Sequence, residues 1–494
     1  MKNERMTLIE YVAHYAEQQP DKKAILTPDG SMTYSELYYH ARGYAKYLIS
    51  FGLKKGDIVL LRSEQTINYA IQYLGIHLTG GIVTSLEKNI SDSGIIDVAQ
   101  KVRADTIITD NTLMKDLYPA AYIALGDVPA LAKDHVDDDI ALDFPLLSDP
   151  ADILFTTGTT GSSKGVEWLH ETIVATAENL IIGCCYKPDT TIIVPGPLNH
   201  GDAIRKMFTS FVNGSTVYIL NGMTNVKAFF HALDECSDPI ACCLPPAAIR
   251  TLFALTNDRI GQYRDKIDFI DSSTSPLPEA DKKRLSCLLP DARLYNNYSF
   301  SESSFVCLYD YNKYPGKQNC IGKTLPGMRM ITVDDEHHEV QASREDPRAL
   351  ACIGAVNMKA YLNEPELTAE VLDKDTVYTS DIGYIDDEGF AYVIGRKGDV
   401  INVGGLKVAP IEVESAALEH GDIIDCICIS VPDRITTNAL KLLVVMKEGK
   451  EPDIKALNKF LAESLEAYKI PRYYERVDKV ERTYNGKINR KFYR

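Results

Sequence analysis

One run of ten residues limits this chain more than any other: Thr156-Thr157-Gly158-Thr159-Thr160-Gly161-Ser162-Ser163-Lys164-Gly165, directly after the apolar Asp152-Ile-Leu-Phe155. Small hydroxyl residues interleaved with glycine let the backbone fold tightly and leave N–H and O–H groups free to surround phosphate oxygens. The run is not a Walker A loop, which needs glycine immediately before the lysine, where Ser163 stands. By composition alone it could also be a flexible surface turn.

The surrounding sequence alternates helical and strand periods. Tyr34 to Ile49 sets Leu37, Ala41, Ala45 and Leu48 on one helical face, and the strand-like Asp57-Ile-Val-Leu-Leu-Arg62 follows. Thr66 to Leu78 is helical again and stops at Gly80-Gly81. Short apolar strands at Thr106–Thr109, Ile192–Pro195, Thr216–Leu220 and Ile267–Asp271 complete an α/β pattern of helices layered over sheets. After Gly395-Arg396-Lys397-Gly398-Asp399 the texture changes to strands at Val400–Val403, Asp425–Val431 and Lys441–Lys447. A helix beginning at Pro410 joins them, and an amphipathic one from Asp453 sets Ile454, Leu457, Leu461 and Leu465 near one face. The predicted division is a large α/β N-terminal domain of several subdomains, residues 1–397, and a small α+β C-terminal domain, 398–494, with Gly398 in the joint.

At 494 residues the chain exceeds one ordinary core, and 53 Lys+Arg against 69 Asp+Glu give a net charge of −16. Such a surface repels nucleic acid and anionic lipid, so phosphate must be held by a local site. No secretory signal and no apolar run of about 18 residues is present, so no membrane span is expected. Eleven cysteines include Cys184–Cys185, Cys242–Cys243 and Cys426-x-Cys428 but no C-x-x-C pair. They read as buried, reduced thiols of a cytoplasmic protein.

Further short motifs follow in order. Met32-Thr-Tyr-Ser-Glu-Leu37 resembles a T-Y-x-E-L segment and Tyr298-Ser-Phe-Ser-Glu302 a Y-G-x-T-E segment. Tyr361-Leu-Asn-Glu-Pro-Glu-Leu-Thr368 resembles G-Y-x-x-x-P-E-x-T, and Tyr378-Thr-Ser-Asp381 resembles Y-x-T-G-D. Gly395 to Gly405 resembles G-R-x-x-D-x-I-x-x-x-G, and Asn485-Gly-Lys-Ile-Asn-Arg490 the terminal G-K-I-x-R. Together with the loop at 156–165, this ordered series resembles the adenylate-forming superfamily of acyl- and aryl-CoA synthetases, adenylation domains and luciferases. Acyl- and aryl-CoA ligases are nearest in pattern.

The resemblance implies activation of a carboxylic acid by ATP and Mg²⁺ to an acyl-adenylate, then transfer to the thiol of coenzyme A. Loading onto the phosphopantetheine of a separate carrier protein is the alternative, and an ATP-binding protein without catalysis is a third. It further implies that Thr156, Thr157, Gly158, Thr159, Thr160, Gly161 and Lys164 surround the phosphates, and that Glu302 holds Mg²⁺, a hard ion suited to a carboxylate. Ser301 would donate to the α-phosphate, and Ser273, Asn297 and Tyr298 would lie against the nucleotide. Asp381 would accept the ribose hydroxyls, Arg396 would bridge ribose or phosphate, and Lys487 would be inserted at the α-phosphate by a movable C-terminal domain. Without the upstream motifs Lys487 would be one more cation of a basic tail with Arg490, Lys491 and Arg494.

Gly404 and Gly405 match the glycine-bearing strand that lines a thiol tunnel, or else an ordinary hairpin turn. Pro197-Leu-Asn-His-Gly201 resembles P-L-x-H-x-x-G, which puts His200 by the bound carboxylate or at the thiol entrance; a structural histidine is the alternative. Leu244-Pro-Pro246, Ser273 and Asn296 would line the acid cavity. Asp202 lies near the position where amino-acid-activating relatives carry an aspartate but is out of register, which favours other acids. Departures from the pattern are Ser299 and Ser380 for glycines, Gly398 at the joint, and Ser272-Ser-Thr-Ser-Pro276 for a Gly-Gly-Ala-Pro type of segment. His337-His338 read as a solvated hairpin.

Overall fold

The structure is a computed structural model in which residues 5–110, 116–155, 164–223, 225–237, 239–482 and 488–493 are described. Thr156 to Ser163 and Lys487 lie outside the described residues.

Two sheets dominate the first 396 residues. The larger has a parallel centre in the order Lys23–Thr27, Thr216–Ile219, Thr191–Val194, Ile240–Cys243, Ile267–Ser272 and Arg293–Phe300. It continues antiparallel through Ser303–Asp310, Cys320–Thr324, Ala391–Arg396, Thr376–Ile385 and Arg348–Gly354 to Met328–Val333. The second sheet runs Ala360–Tyr361, Gly165–Leu169, Pro150–Phe155, Ile82–Ser85, Ile58–Leu61, Thr106–Thr109, Ala121–Ala124. Between the two sheets a shared apolar core gathers Tyr73 and Leu74 of helix Ile67–Leu78, Ile173 and Leu180 of helix His170–Gly183, and Met207, Phe208 and Phe211 of helix Gly201–Asn213. Burying side chains of this size stabilises by about 1.5–3 kcal/mol each, which explains why these segments read as apolar runs.

Two motifs have plain structural causes. Thr33 and Glu36 form a capping box on helix Tyr34–Ser50: the Glu36 carboxylate accepts the Thr33 N–H at 2.7 Å, and the Thr33 hydroxyl accepts the Glu36 N–H at 3.2 Å. Tyr34 between them is buried and donates to the carbonyls of Ser215 (2.7 Å) and Ser210 (3.1 Å), tying the helix to the next layer. In the segment 361–368, the Thr368 hydroxyl accepts the Tyr361 N–H at 3.0 Å, which fixes that seven-residue spacing.

From Ile401 onward a separate apolar core forms around Val408, Val413, Cys426, Leu440, Leu442, Val444, Leu457 and Leu461. It holds the hairpin Ile401–Val403/Leu406–Val408, helix Pro410–Leu418 and the sheet Ile423–Asp433, Thr437–Met446, Tyr473–Arg476. The large N-terminal and small C-terminal parts of the expected fold are therefore both present. One detail differs: Asp453 caps its helix from the N–H groups of Lys455 and Ala456, leaving Ile454 in the first turn 48% exposed. The helix ends at Leu461, short of Leu465. All eleven cysteines are free, and nine are buried. His337 stacks on Tyr378 at 3.8 Å in an exposed turn, as a solvated hairpin requires. No helix among the described residues is long and apolar enough to cross a membrane.

Candidate active site

Phe155 and Gly165, the residues on either side of the phosphate-loop segment, stand opposite one another in the antiparallel pair Pro150–Phe155/Gly165–Leu169. Strand Ala360–Tyr361 adds to that pair, with Tyr361 beside Val166 and the Leu362 N–H on the Gly165 carbonyl at 2.8 Å. Tyr361 in turn donates its hydroxyl to Glu302 Oε1 at 2.5 Å, and Lys164 Nζ lies 4.8 Å from the centre of its ring. Glu302 and Ser301 occupy the tight turn between Arg293–Phe300 and Ser303–Asp310. The turn is pinned from behind: Met358 N–H donates to the Glu302 carbonyl at 2.8 Å, and Ser303 Oγ bonds Asn357 Oδ1 at 2.5 Å. The base of the loop and the half-buried Glu302 are thus joined through one tyrosine.

A second carboxylate is also held by a tyrosine hydroxyl. Asp381 and Arg396 are opposite residues of the pair Thr376–Ile385/Ala391–Arg396, with Arg396 Nε 3.3 Å from Asp381 Oδ1. Tyr298 donates its hydroxyl to the other oxygen, Oδ2, at 2.6 Å, and the Asp381 N–H is held by Thr379 Oγ1 at 3.0 Å. Burial and the Asp381 charge raise the Tyr298 phenol well above its usual range, so it stays a donor. Burial and Glu302 act in the same way on Tyr361. The expected nucleotide-side tyrosine and ribose-side aspartate are therefore one hydrogen-bonded unit, a coupling that the motifs do not announce. Ser299 and Ser380 lie in the strands Arg293–Phe300 and Thr376–Ile385, and neither has a positive φ, so both positions accept serine. Thr274, by contrast, has φ 74°.

His200 is the N-cap residue of helix Gly201–Asn213, without a side-chain cap, and its N–H donates to the Pro197 carbonyl at 3.1 Å. The loop before it is clamped by Gln65, which accepts from the Leu198 N–H at 2.7 Å and donates to Asn199 at 3.0 Å. Asn297 is buried and donates to Asp271 Oδ2 at 3.3 Å; Ser273 is buried just beyond the end of the neighbouring strand. Gly404 and Gly405 form the two-residue turn of the hairpin 401–408 with φ 61° and 93°, a conformation that favours glycine at both positions. Their N–H groups donate to Thr436 and Asn402 within the C-terminal part. The flanks of Lys487 are anchored: Arg482 and Ile488 bridge, Arg482 pairs with Asp425 at 2.7 Å, and Arg490 grips Glu414 through two bonds of 2.8 and 2.6 Å.

Two buried charge clusters escaped the motif reading. Asp152 accepts from Arg205 at 3.0 Å and Tyr73 at 2.8 Å and bonds His77 at 3.0 Å, with Trp168 under the Arg205 guanidinium at 4.2 Å. Burial opposes ionisation of Asp152, yet these partners hold its carboxyl below the ordinary range. Lys206 pairs with Asp271, both fully buried; burial alone would depress the ammonium, but Asp271 and then Asp202 keep it charged. The visible signal was Arg205-Lys206 interrupting an otherwise apolar stretch, Ala203-Ile204 and Met207-Phe208.

Among the described residues no group of three or more His, Cys, Asp and Glu could hold a metal ion. A single half-buried carboxylate joined through Tyr361 to strand Gly165–Leu169 fits Mg²⁺, which takes one or two carboxylates and completes its shell with substrate phosphates and water.

A family model described as AMP-binding enzyme matches residues 12–362, and one described as AMP-binding enzyme C-terminal domain matches residues 412–487. The chain is 27% identical over 528 residues to a long-chain-fatty-acid–CoA ligase of Bacillus subtilis (strain 168), covering 98% of this chain and 93% of the relative. It is 25% identical over 507 residues to the fatty acid–[acyl-carrier-protein] ligase ScoC of Streptomyces coeruleorubidus, covering 98% and 95%. In fold it is similar to ATP-bound MatB from Rhodopseudomonas palustris, with TM-score 0.86, 21% identity and 99% and 98% of the two chains covered. It is also similar to o-succinylbenzoate CoA synthetase (MenE) from Bacillus subtilis with its acyl-adenylate intermediate, with TM-score 0.83, 20% identity and 97% of each chain covered.

Proposed function

Because the chain belongs to the AMP-binding enzyme family, we propose that it is an acid–thiol ligase working in two steps. In the first, a carboxylate oxygen attacks the α-phosphorus of ATP, the bond to the bridging oxygen breaks and pyrophosphate leaves. In the second, a thiol sulfur attacks the acyl carbon, AMP leaves with the electron pair and the thiol proton passes to solvent. The observation that carries this reading is the pair of tyrosine-held carboxylates, Glu302, joined through Tyr361 to the strand pair that flanks residues 156–164, and Asp381, held by Tyr298 and Arg396.

In this reading Asp381, oriented by Tyr298 and Arg396, accepts the ribose hydroxyls, and Thr156 to Gly161 with Lys164 and Ser301 surround the phosphates. Ser273 and Asn297 border the nucleotide. Glu302 would hold Mg²⁺, which would supply positive charge against the phosphate oxygens. Lys487 donates to the α-phosphate, and its anchored flanks carry it with the C-terminal part as a unit. His200 borders the reacting carboxylate. We place the boundary between 397 and 398, since the large sheet ends at Arg396 and the separate core begins at Ile401. Gly404 and Gly405 admit the thiol arm by leaving their turn without side chains. The thiol is that of coenzyme A, and the site of action is the cytoplasm, where eleven free cysteines persist. A carrier protein's phosphopantetheine is the second reading, favoured by the 25% identity with a carrier-protein ligase over 98% of the chain.

Pyrophosphate release with ATP and Mg²⁺ across fatty, aryl and amino acids tests the first step, with Lys487→Ala alongside. Release that requires one acid class and collapses about 10²–10³-fold in the variant supports it. Release indifferent to the acid or to Lys487 contradicts it, and ATP binding without turnover of any acid would leave a non-catalytic protein. Adding coenzyme A, then a carrier protein, separates the two acceptors.

A further inference from the structure

Residues 357–362 reach two parts of the candidate site that the motifs present as separate. Asn357, 8% exposed, accepts the Ser303 hydroxyl and donates to the carbonyls of Cys352 at 2.9 Å and Asp375 at 2.6 Å. Met358 N–H holds the Glu302 carbonyl, so the backbone of that turn is fixed from behind. Ala360 and Tyr361 then pair with Glu167 and Val166, and the N–H groups of Lys359 and Leu362 donate to the carbonyls of Glu167 and Gly165 at 2.9 and 2.8 Å. Beyond the strand, the Thr368 hydroxyl accepts the Tyr361 N–H and donates to the Glu364 carbonyl at 2.8 Å. The backbone of Tyr361 is therefore held from both directions.

Its side chain has two parts with different tasks. The ring packs with Leu154, Val166, Trp168 and Met358, and the residue is 4% exposed. Packing explains an aromatic ring there, and phenylalanine would fill the same space. The hydroxyl needs another reason. It donates to Glu302 Oε1 at 2.5 Å, the length of a charge-assisted bond, and no other hydrogen bond reaches that carboxylate among the described residues. Carboxylates that hold metals are commonly fixed in this way by a further hydrogen-bonding group, which sets the direction of the remaining oxygen.

We propose that Tyr361 is a positioning residue for the metal: its hydroxyl takes Oε1 of Glu302 and leaves Oε2 as the oxygen offered to Mg²⁺. This rests on the function proposed above. Among the described residues the hydroxyl bonds Glu302 alone, while Asp381 is held by Tyr298 and Arg396. Loss of the hydroxyl should therefore weaken binding of the metal–nucleotide complex and spare the nucleotide itself.

The test is calorimetric titration of the full chain with ATP and no acid, once with Mg²⁺ and once with EDTA in its place, in wild type and Tyr361→Phe. The substitution removes the hydroxyl and keeps the ring that lies under Lys164. The expected result is ATP bound about 10–100-fold more weakly with Mg²⁺, the range for such supporting partners, and equally well without it. Adding Tyr361→Phe to Glu302→Gln should weaken Mg²⁺-dependent binding no further, because both act through one carboxylate. Equal loss with and without Mg²⁺, no loss at all, or a Tyr361→Phe chain that does not fold would overturn the inference. Acid-dependent pyrophosphate release by the wild type, measured alongside, leaves the ligase function standing in each of those cases. A wild type that binds ATP alike with and without Mg²⁺ and releases no pyrophosphate would overturn both.

Discussion

Two sets of carboxylates in this chain are held in opposite ways. Asp152 and Asp271 are fully buried and meet arginine, lysine, histidine, tyrosine or asparagine partners within the core. Glu302 and Asp381 lie at the edge, each gripped by one tyrosine hydroxyl, with the Asp381 side chain 16% exposed. The first arrangement ties helices to sheets, and its charges cannot be taken singly without stranding a partner. The second fixes the direction of a carboxylate while keeping it within reach of solvent and ligand. On the proposed function, charge buried deep serves the fold, and charge held shallow serves the chemistry.

The sharpest way to break this contrast is Asp152→Ala. It leaves the Arg205 guanidinium buried without its counter-ion and should cost about 3–5 kcal/mol of unfolding free energy, read from urea titration. A loss below about 1 kcal/mol would mean that the cluster is not structural. At the edge, Asp381→Asn should leave the unfolding midpoint in place while raising KM for ATP by about 1.5–3 kcal/mol in equivalent free energy. A shifted midpoint with unchanged KM would place Asp381 in the first group.

A third prediction concerns pH. Burial pulls His170, packed 4.8 Å from His77, down to a pKa of about 3, against 6.5 ordinarily. Between those values the unfolded chain binds a proton that the folded one does not, so stability falls as pH drops from about 6.5 towards 3. The slope approaches about 1.4 kcal/mol per pH unit. His170→Phe should remove that component of the slope; a parallel pH profile in the variant would contradict it. The smallest effect belongs to Thr274, a β-branched residue held at φ 74°. Thr274→Gly should raise stability by about 1 kcal/mol by releasing backbone strain, whereas a loss would show that its side chain makes a needed contact.

Much of this was legible beforehand because local chemistry and fold coincide. The alternation of periods exposed the two-part architecture, and Thr33–Glu36 and Tyr361–Thr368 are spaced as they are because capping and a seven-residue hydrogen bond demand it. What stayed hidden were pairings across long sequence separations. Nothing local links Tyr298 to Asp381 or Tyr361 to Glu302, and Lys206 finds Asp271 only after a helix and three strands have packed. Ile454 was misread for a related reason: its helical face was right in period, but the cap at Asp453 set where the first turn begins.

Acid-dependent pyrophosphate release by the wild-type chain and by Glu302→Gln, measured on samples whose unfolding curves are recorded alongside, tests the central claim most directly. Glutamine keeps an acceptor for Tyr361 and loses the charge. The account predicts superimposable unfolding curves with release reduced by about 10²-fold or more. Equal release from both proteins, or a variant that loses its fold together with its activity, would contradict the division between shallow and deep carboxylates.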